Sequence, residues 1–208
     1  AQFEKYYGVT PNMYTIPVGS LPELNYPKEG RKLYSLITAS RLASEKHVDW
    51  ICKAVIQARS EVPELSLDIY GVGGEREKLE TIIRENNASG YIHLMGQHDL
   101  SEVYQNYEAY IAGSTSEGFG LTLMEAVGGG LPIIGFDVRY GNPTFIRNGE
   151  NGYLLELPEE DKDRVETLRK GIVDLFKQDL EKCHEVSYSV AQDFLTSNVQ
   201  EKWREAVC

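Results

Sequence analysis

The chain has 208 residues, 41% of them apolar and 25% charged, enough for one domain with a buried core and an ordinary folded composition. Its 21 basic and 32 acidic residues leave a net charge of −11. That argues against a nucleic-acid binder driven by phosphate neutralisation and against a polybasic membrane anchor, but leaves room for a small basic pocket holding one phosphorylated ligand. Cys52, Cys183 and Cys208 stand far apart, form no CxxC pair and close no disulfide framework, so a reducing, cytoplasmic setting is expected. The histidines His47, His93, His98 and His184 show no metal-ligand spacing, and no apolar run approaches the length of about 18 residues that a membrane span needs.

Residues 9–32 carry Pro11, Pro17, Pro22, Pro27, Gly19 and Gly30, which is linker chemistry with at most a short extended piece near Tyr14–Ile16. The chain does not open like a whole protein, so residues 1–32 are expected to be the remnant of a preceding domain. Strand-like runs then alternate with helical periodicity. Strands are predicted at Leu33–Ala39, Leu65–Tyr70, Tyr91–Met95, Ala109–Ala112, Pro132–Phe136 and Gly152–Leu155. Helices are predicted at Val48–Arg59, Glu75–Asn87, Leu121–Gly128, Lys162–Lys177 and Tyr188–Val207, with a short one around Leu100–Tyr107 and room for another before the last strand. Such an order implies right-handed βαβ units: an α/β, Rossmann-like parallel sheet with helices on both faces.

In such sheets ligands bind beyond the carboxyl ends of the strands, and the unusual residues collect there. Arg41 and Lys46 follow the first strand; they could grip a diphosphate or be solvated loop charges. Gly71-Val72-Gly73-Gly74 follows the second, but Arg76 breaks the GxGxxG pattern, so a tight turn is the leading reading and close approach of a nucleotide the other. Gly118-Phe119-Gly120 opens a helix, where bare backbone N–H groups suit an anion and a turn serves equally. Glu117 and Glu125 could accept hydrogen bonds from sugar hydroxyls or be surface glutamates. His98, after the third strand, could contact a base or phosphate or simply be exposed, and Cys52 reads as a core residue.

Taken together, these residues resemble the C-terminal nucleotide-binding half of GT-B glycosyltransferases of the large retaining family 4 type, over about residues 33–178. The most specific element is Glu117-Gly118-Phe119-Gly120-Leu121-Thr122-Leu123-Met124-Glu125, two glutamates separated by seven residues. Ser40-Arg41-Leu42 with Lys46, and Ile69-Tyr70-Gly71-Val72-Gly73, match two further family motifs in the right order. A narrower stretch, Gly135-Phe136-Asp137-Val138-Arg139-Tyr140-Gly141-Asn142-Pro143-Thr144-Phe145-Ile146 followed by Asn148-Gly149-Glu150-Asn151-Gly152-Tyr153, is similar to the GtfA-type O-GlcNAc transferases that modify serine-rich repeat adhesins for the accessory Sec system. Part of that stretch is shared with poly(glycerol-phosphate) α-glucosyltransferases of wall teichoic acid, the alternative the resemblance leaves open, with glucose in place of GlcNAc as the donor sugar.

The resemblance implies a UDP-sugar donor and no metal. Arg41 and Lys46 would bind the diphosphate and stabilise the leaving group, making them, with Glu117, the catalytic set on this chain. Glu117 would hold the donor hexose and Glu125 the ribose. Backbone groups of Gly118, Phe119, Gly120, Leu121 and Thr122 would meet phosphates and sugar, Gly71 and Gly73 would line the nucleotide, and His98 would flank the uracil. It also implies a serine-rich protein acceptor, a GtfB-like co-protein and an N-terminal domain that completes the acceptor site. The chain would then divide into residues 1–32, a donor-binding domain over 33–185 and a terminal crossover helix over 186–208, and on its own would bind nucleotide without turnover. A non-catalytic co-protein of the same fold has little reason to keep Arg41, Lys46, Glu117 and Glu125. An NAD-binding domain lacks its glycine fingerprint and ribose acid here, and a UDP-sugar epimerase lacks its extra acids and histidines.

Overall fold

The computed structural model of the chain describes Gly8 and residues 16–207. Tyr14 and Thr15, in the expected extended piece, and Cys208 lie outside the described residues. The elements run β1 Ser35–Ala39, α1 Val48–Ala58, β2 Ser66–Tyr70, α2 Arg76–Glu85, β3 Ile92–Gly96, β4 Ala109–Ile111, α3 Leu121–Gly128, β5 Ile133–Phe136, α4 Gly141–Phe145, β6 Gly152–Leu155, α5 Asp161–Leu175, α6 Leu180–Gln192 and α7 Thr196–Val207. All six strands are parallel, in the order β3-β2-β1-β4-β5-β6. Chain progression reverses between β1 and β4, so the loops leaving those two strands part there and open a crevice.

Every residue of β1, β2, β4 and β5 is buried, as a parallel sheet covered on both faces requires. Alternate side chains serve two cores. Leu36, Leu67 and Ile134 pack on the face of α1, α2 and α5, with Trp50, Leu79 and Ile172. Ile37, Tyr110 and Ile133 pack on the face of α3, α4 and α6, with Met124, Phe145 and Val190.

Two expected helices are corrected. Around Leu100–Tyr107 only a 3-10 turn, Tyr104–Asn106, forms. The segment is too short to repay helix nucleation, and burial of Tyr104 and Tyr107 feeds the chain in extended form into β4. The single helix expected over Tyr188–Val207 is two, α6 and α7, broken at residues 193–195. Phe194 is buried there against Phe145, with centroids 4.9 Å apart, while Leu195 bridges to Leu21. Leu21 N–H donates to the Phe194 carbonyl, and its own carbonyl takes the N–H of Thr196 at 2.8 Å, which opens the next helix. The proline-rich stretch lies against the domain: Leu21 is 4% exposed, and Asn25 N–H donates to the Gly128 carbonyl at 2.9 Å.

Candidate functional site

The parallel ladder between the first two strands continues into the loops beyond them. Ser40 N–H donates to the Tyr70 carbonyl at 3.0 Å and Leu42 N–H to the Val72 carbonyl at 2.9 Å. A Cβ on Gly71, at φ +136°, would sit 1.8 Å from the Ser40 oxygen, and one on Gly73 2.3 Å from the Leu42 oxygen. These glycines therefore let one loop lie flush on the other, and the Arg41 loop is stiff because of them.

Next to that seam is a cavity of about 380 Å³, lined by Ser40, Arg41, Tyr70, Gly71, His98 and Thr122 among others. The Arg41 side chain is 78% exposed and pairs with Glu45 at 3.0 Å, so much of the guanidinium stays open to solvent beside the cavity. His98 uses Nε2 to donate to the Met95 carbonyl at 2.9 Å, and its ring meets the Tyr70 ring edge-on at 5.7 Å. Tyr70 is held from below: its hydroxyl lies 3.0 Å from that of Tyr107, which donates to Asp68 Oδ2 at 2.6 Å. His93 Nδ1 reaches Asp68 Oδ1 at 2.7 Å and Lys32 Nζ approaches Oδ2 at 3.6 Å. Burial pushes the Asp68 carboxyl up, but the bonds from Tyr107 and His93 and the charge of Lys32 outweigh it and hold it below the usual range.

At the switch point itself Lys46 Nζ lies 2.6 Å from Glu117 Oε2, both side chains about one-fifth exposed at 20% and 19%. They share a narrow cleft with Thr38, Ser114 and Thr122. Tyr110 closes its floor: the hydroxyl donates to the Ala39 carbonyl at 3.0 Å and lies 3.1 Å from Thr122 Oγ1. Gly113 brings the loop after β4 against Lys46 and His47, since a Cβ there would lie 2.8 Å from the His47 oxygen. His47, at φ +46°, turns the chain into α1 and stacks on Trp50 at 3.5 Å.

Gly120 caps α3 at φ +87° and presents the N-terminal turn, including Leu121 and Thr122, toward the cleft region. Phe119 turns the other way, edge-on to Phe145 at 5.4 Å and Phe194 at 6.1 Å, so its side chain serves the core. Gly118 has open space around it. Glu125 lies one turn along α3 and accepts from Tyr104 at 3.1 Å. Burial raises its carboxyl above the usual range, the Tyr104 bond lowers it and Asp99 raises it further.

The fold thus brings Arg41, Gly71, His98 and Thr122 to one cavity and Lys46, Glu117 and Thr122 to the adjoining cleft, with Thr122 common to both. Gly73 sits on the far side of the Arg41 loop, and Glu125 lines neither space. Thr38 and Tyr110 were missed from sequence, and Tyr70 and Ser114 stood there only within strand-end stretches, with no role given to them. Their one signal is a polar group at the end of a buried apolar strand, a place where only a satisfied or used hydroxyl is tolerated. Chemically the rim offers two cations and a helix N-terminus for a diphosphate, with a carboxylate beside them for hydroxyls. Among the described residues no three His, Cys, Asp or Glu converge as a metal site, and no helix is long and apolar enough to cross a membrane.

The model of the glycosyl transferases group 1 family matches residues 26–192. The chain is 56% identical over 200 residues to the GtfA subunit of a UDP-N-acetylglucosamine–peptide N-acetylglucosaminyltransferase from Limosilactobacillus reuteri subsp. suis, covering 95% of this chain and 39% of that one. A crystal structure of the pneumococcal O-GlcNAc transferase GtfA in complex with UDP and GlcNAc superposes with a TM-score of 0.90 at 51% identity, over 99% of this chain and 41% of that one. A GtfA/B complex structure gives a TM-score of 0.88 at 54% identity, over 98% and 41% of the two chains. The chain therefore spans about two-fifths of the length of the GtfA subunits it matches, between 39% and 42%.

Proposed function

The chain belongs to the group 1 glycosyl transferases, and on that footing we propose that it is the donor-binding half of a retaining GT-B enzyme that transfers GlcNAc from UDP-GlcNAc to serine or threonine of a serine-rich protein. The observation that carries the reading is the Lys46–Glu117 pair at 2.6 Å, formed across the switch point by residues from two different strand ends. Each matches a donor-site residue of the family, and a cation beside a carboxylate is what the junction between diphosphate and hexose requires.

In this reading Arg41 and Lys46 take the diphosphate. Their charge stabilises the UDP leaving group as the glycosidic bond breaks, with no metal needed. The N-terminal turn of α3 at Leu121 and Thr122 adds backbone donors. Glu117 accepts from hexose hydroxyls, Glu125 from the ribose, and His98 with Gly71 borders the base. Gly73 acts through the loop seam, stiffening the Arg41 loop. Among the described residues no second carboxylate lines the cleft with Glu117, as a hydrolase would place it. The acceptor site, a GtfB-like partner and the remaining catalytic groups belong to the rest of the enzyme, which works in the cytoplasm where nucleotide sugars are made. The names of the GtfA relatives and the UDP and GlcNAc in the pneumococcal structure support this assignment.

Titration of UDP into the chain by calorimetry tests it, beside Arg41→Ala and Glu125→Ala. Binding that both variants weaken, tighter for UDP-GlcNAc than for UDP-glucose, is the expected result. Ligand at a hundredfold excess over its dissociation constant adds about 2.7 kcal/mol to stability and provides a melting cross-check. Absence of binding at millimolar UDP would overturn the reading for this chain.

A further inference from the structure

The stretch Gly135–Ile146, so distinctive in sequence, has no part in the donor contacts above. Its structure shows what it touches. Asn142 is fully buried, and its amide donates to the Phe136 carbonyl at 2.8 Å, drawing the loop between residues 136 and 142 closed. Gly135 makes room for it, since a Cβ there would lie 2.7 Å from Asn142 Nδ2. The closed loop presents two backbone donors to one acceptor: the N–H groups of Tyr140 and Gly141 both bond the Glu117 carbonyl, at 2.5 and 3.0 Å, in a one-residue parallel bridge. Gly141 is in contact with Glu117 itself. A Cβ on it would lie 2.7 Å from Glu117 Cγ and 2.7 Å from the Phe119 oxygen.

Glu117 needs such support. It stands in a loop between Gly113 and Gly120, with Gly118 in open space and Gly120 at φ +87°, so its own segment is soft. From the β5 side it is held at its carbonyl by hydrogen bonds and at its Cγ by the surface of Gly141. We propose that residues 140–142 form a bracket that positions Glu117, keeping its carboxylate at Lys46 and aimed for the donor hexose. These are positioning residues, not catalytic ones, and the inference rests on the donor-site reading of Glu117. A displacement near 1 Å at such a group costs roughly a hundredfold in rate when it occurs in a working site.

The test uses two variants that disturb the bracket by opposite routes. Gly141→Ala crowds Glu117 and Phe119 with no penalty from backbone conformation, since no positive φ is needed there. Asn142→Ala loosens the loop by removing the bond to Phe136. Gly90→Ala, in an open turn far from the rim, is the control. Dissociation constants for UDP and for UDP-GlcNAc are measured on each folded variant, with melting temperature recorded. The expected result is that UDP affinity stays within about twofold of the parent, while the gain from the hexose falls by about tenfold, the scale of a lost charge-assisted hydrogen bond. A variant that merely destabilised the fold would lower the melting temperature and leave that ratio alone. If either variant keeps the parent's ratio, the bracket is overturned. If the parent binds UDP but gains nothing from the hexose, the bracket is overturned together with the hexose role of Glu117, while the reading of Arg41 and Lys46 as the diphosphate site stands. If the parent binds no UDP, both fall.

Discussion

The two ends of the sheet carry the same kinds of residue in cavities of similar size, about 380 Å³ at the carboxyl ends of the strands and about 430 Å³ at the opposite end. Each has an arginine, a histidine and a tyrosine. Arg41 at the first end is 78% exposed and engages one glutamate. Arg31 at the other end donates to the carbonyls of Gln105 and Tyr107 at 2.9 Å, to Gly129 at 3.0 Å and to the Tyr188 hydroxyl at 3.2 Å. His98 borders an open cavity, whereas His184 is 4% exposed and bonded to the Glu108 carbonyl at 3.0 Å. The larger cavity is thus the one whose arginine and histidine the fold has already tied to its own backbone carbonyls. Availability of donors, not volume, separates the end proposed to hold the donor from the other.

The comparison can be broken or sharpened by experiment. The largest effect is expected at the loop seam. Gly71→Ala puts a methyl 1.8 Å from the Ser40 oxygen at a φ that alanine disfavours. A loss of about 3 kcal/mol in stability should follow, with loss of UDP binding, because the Arg41 loop is forced off its neighbour. A variant that melts and binds like the parent would refute the close approach.

Arg31→Ala should cost about 3 kcal/mol as well, by leaving buried carbonyls without donors, and lower the melting temperature by roughly 6–12 °C. The UDP affinity of the folded protein should not change. If UDP binding weakens as it does in Arg41→Ala, the two ends are not functionally separate.

The pH dependence of folding separates them next. Burial, then the charge of Arg31, holds the His184 imidazole down from 6.5 to about 4. Its neutral form is therefore part of the folded state. The stability it contributes is complete above pH 6.5 and is lost as pH falls toward 4, about 3 kcal/mol in all. Glu108 works in the opposite direction, since burial raises its carboxyl and its charged form costs stability above the ordinary carboxylate range. The difference between parent and His184→Gln in urea unfolding isolates the histidine. The variant should show a shallower loss between pH 6.5 and 4, and parallel curves would refute the assignment.

The smallest effect on folding is expected from Arg41→Ala, within about 0.5 kcal/mol because the side chain is exposed. The same change should weaken UDP binding about tenfold. Equal binding by parent and variant would remove Arg41 from the site.

Much of this was legible along the chain. The run Pro132–Phe136 yields β5, Ile133–Phe136, because apolar residues buried on both faces leave no alternation; Leu65–Tyr70 yields β2, Ser66–Tyr70, and α3 at Leu121–Gly128 begins where Gly120 supplies the left-handed turn. The loops carrying Arg41, His98 and Glu117 were placed at the right sheet end for that reason. The helix expected at Leu100–Tyr107 failed because periodicity cannot see that two buried tyrosines pull the segment straight into β4. The break at Phe194 was hidden because its cause is Leu21, far away in sequence. The glycines after β2 announced special backbone, but not that their partner would be the neighbouring loop.

What local pattern could establish was the α/β class, the strand ends where a ligand would bind, and the residue types waiting there. Those follow from periodicity, turn chemistry and charge, which act over a few residues. Only the tertiary structure decided that Lys46 and Glu117, 71 residues apart, meet at 2.6 Å. Only it decided that Tyr140, Gly141 and Asn142 stand behind Glu117, and that Arg31 is bound up where Arg41 is open. These depend on strand order: β4 enters the sheet beside β1, not beside β3, and that single choice sets which loops become neighbours. Strand order is settled by burial summed over the whole sheet, a quantity that no short stretch of sequence contains.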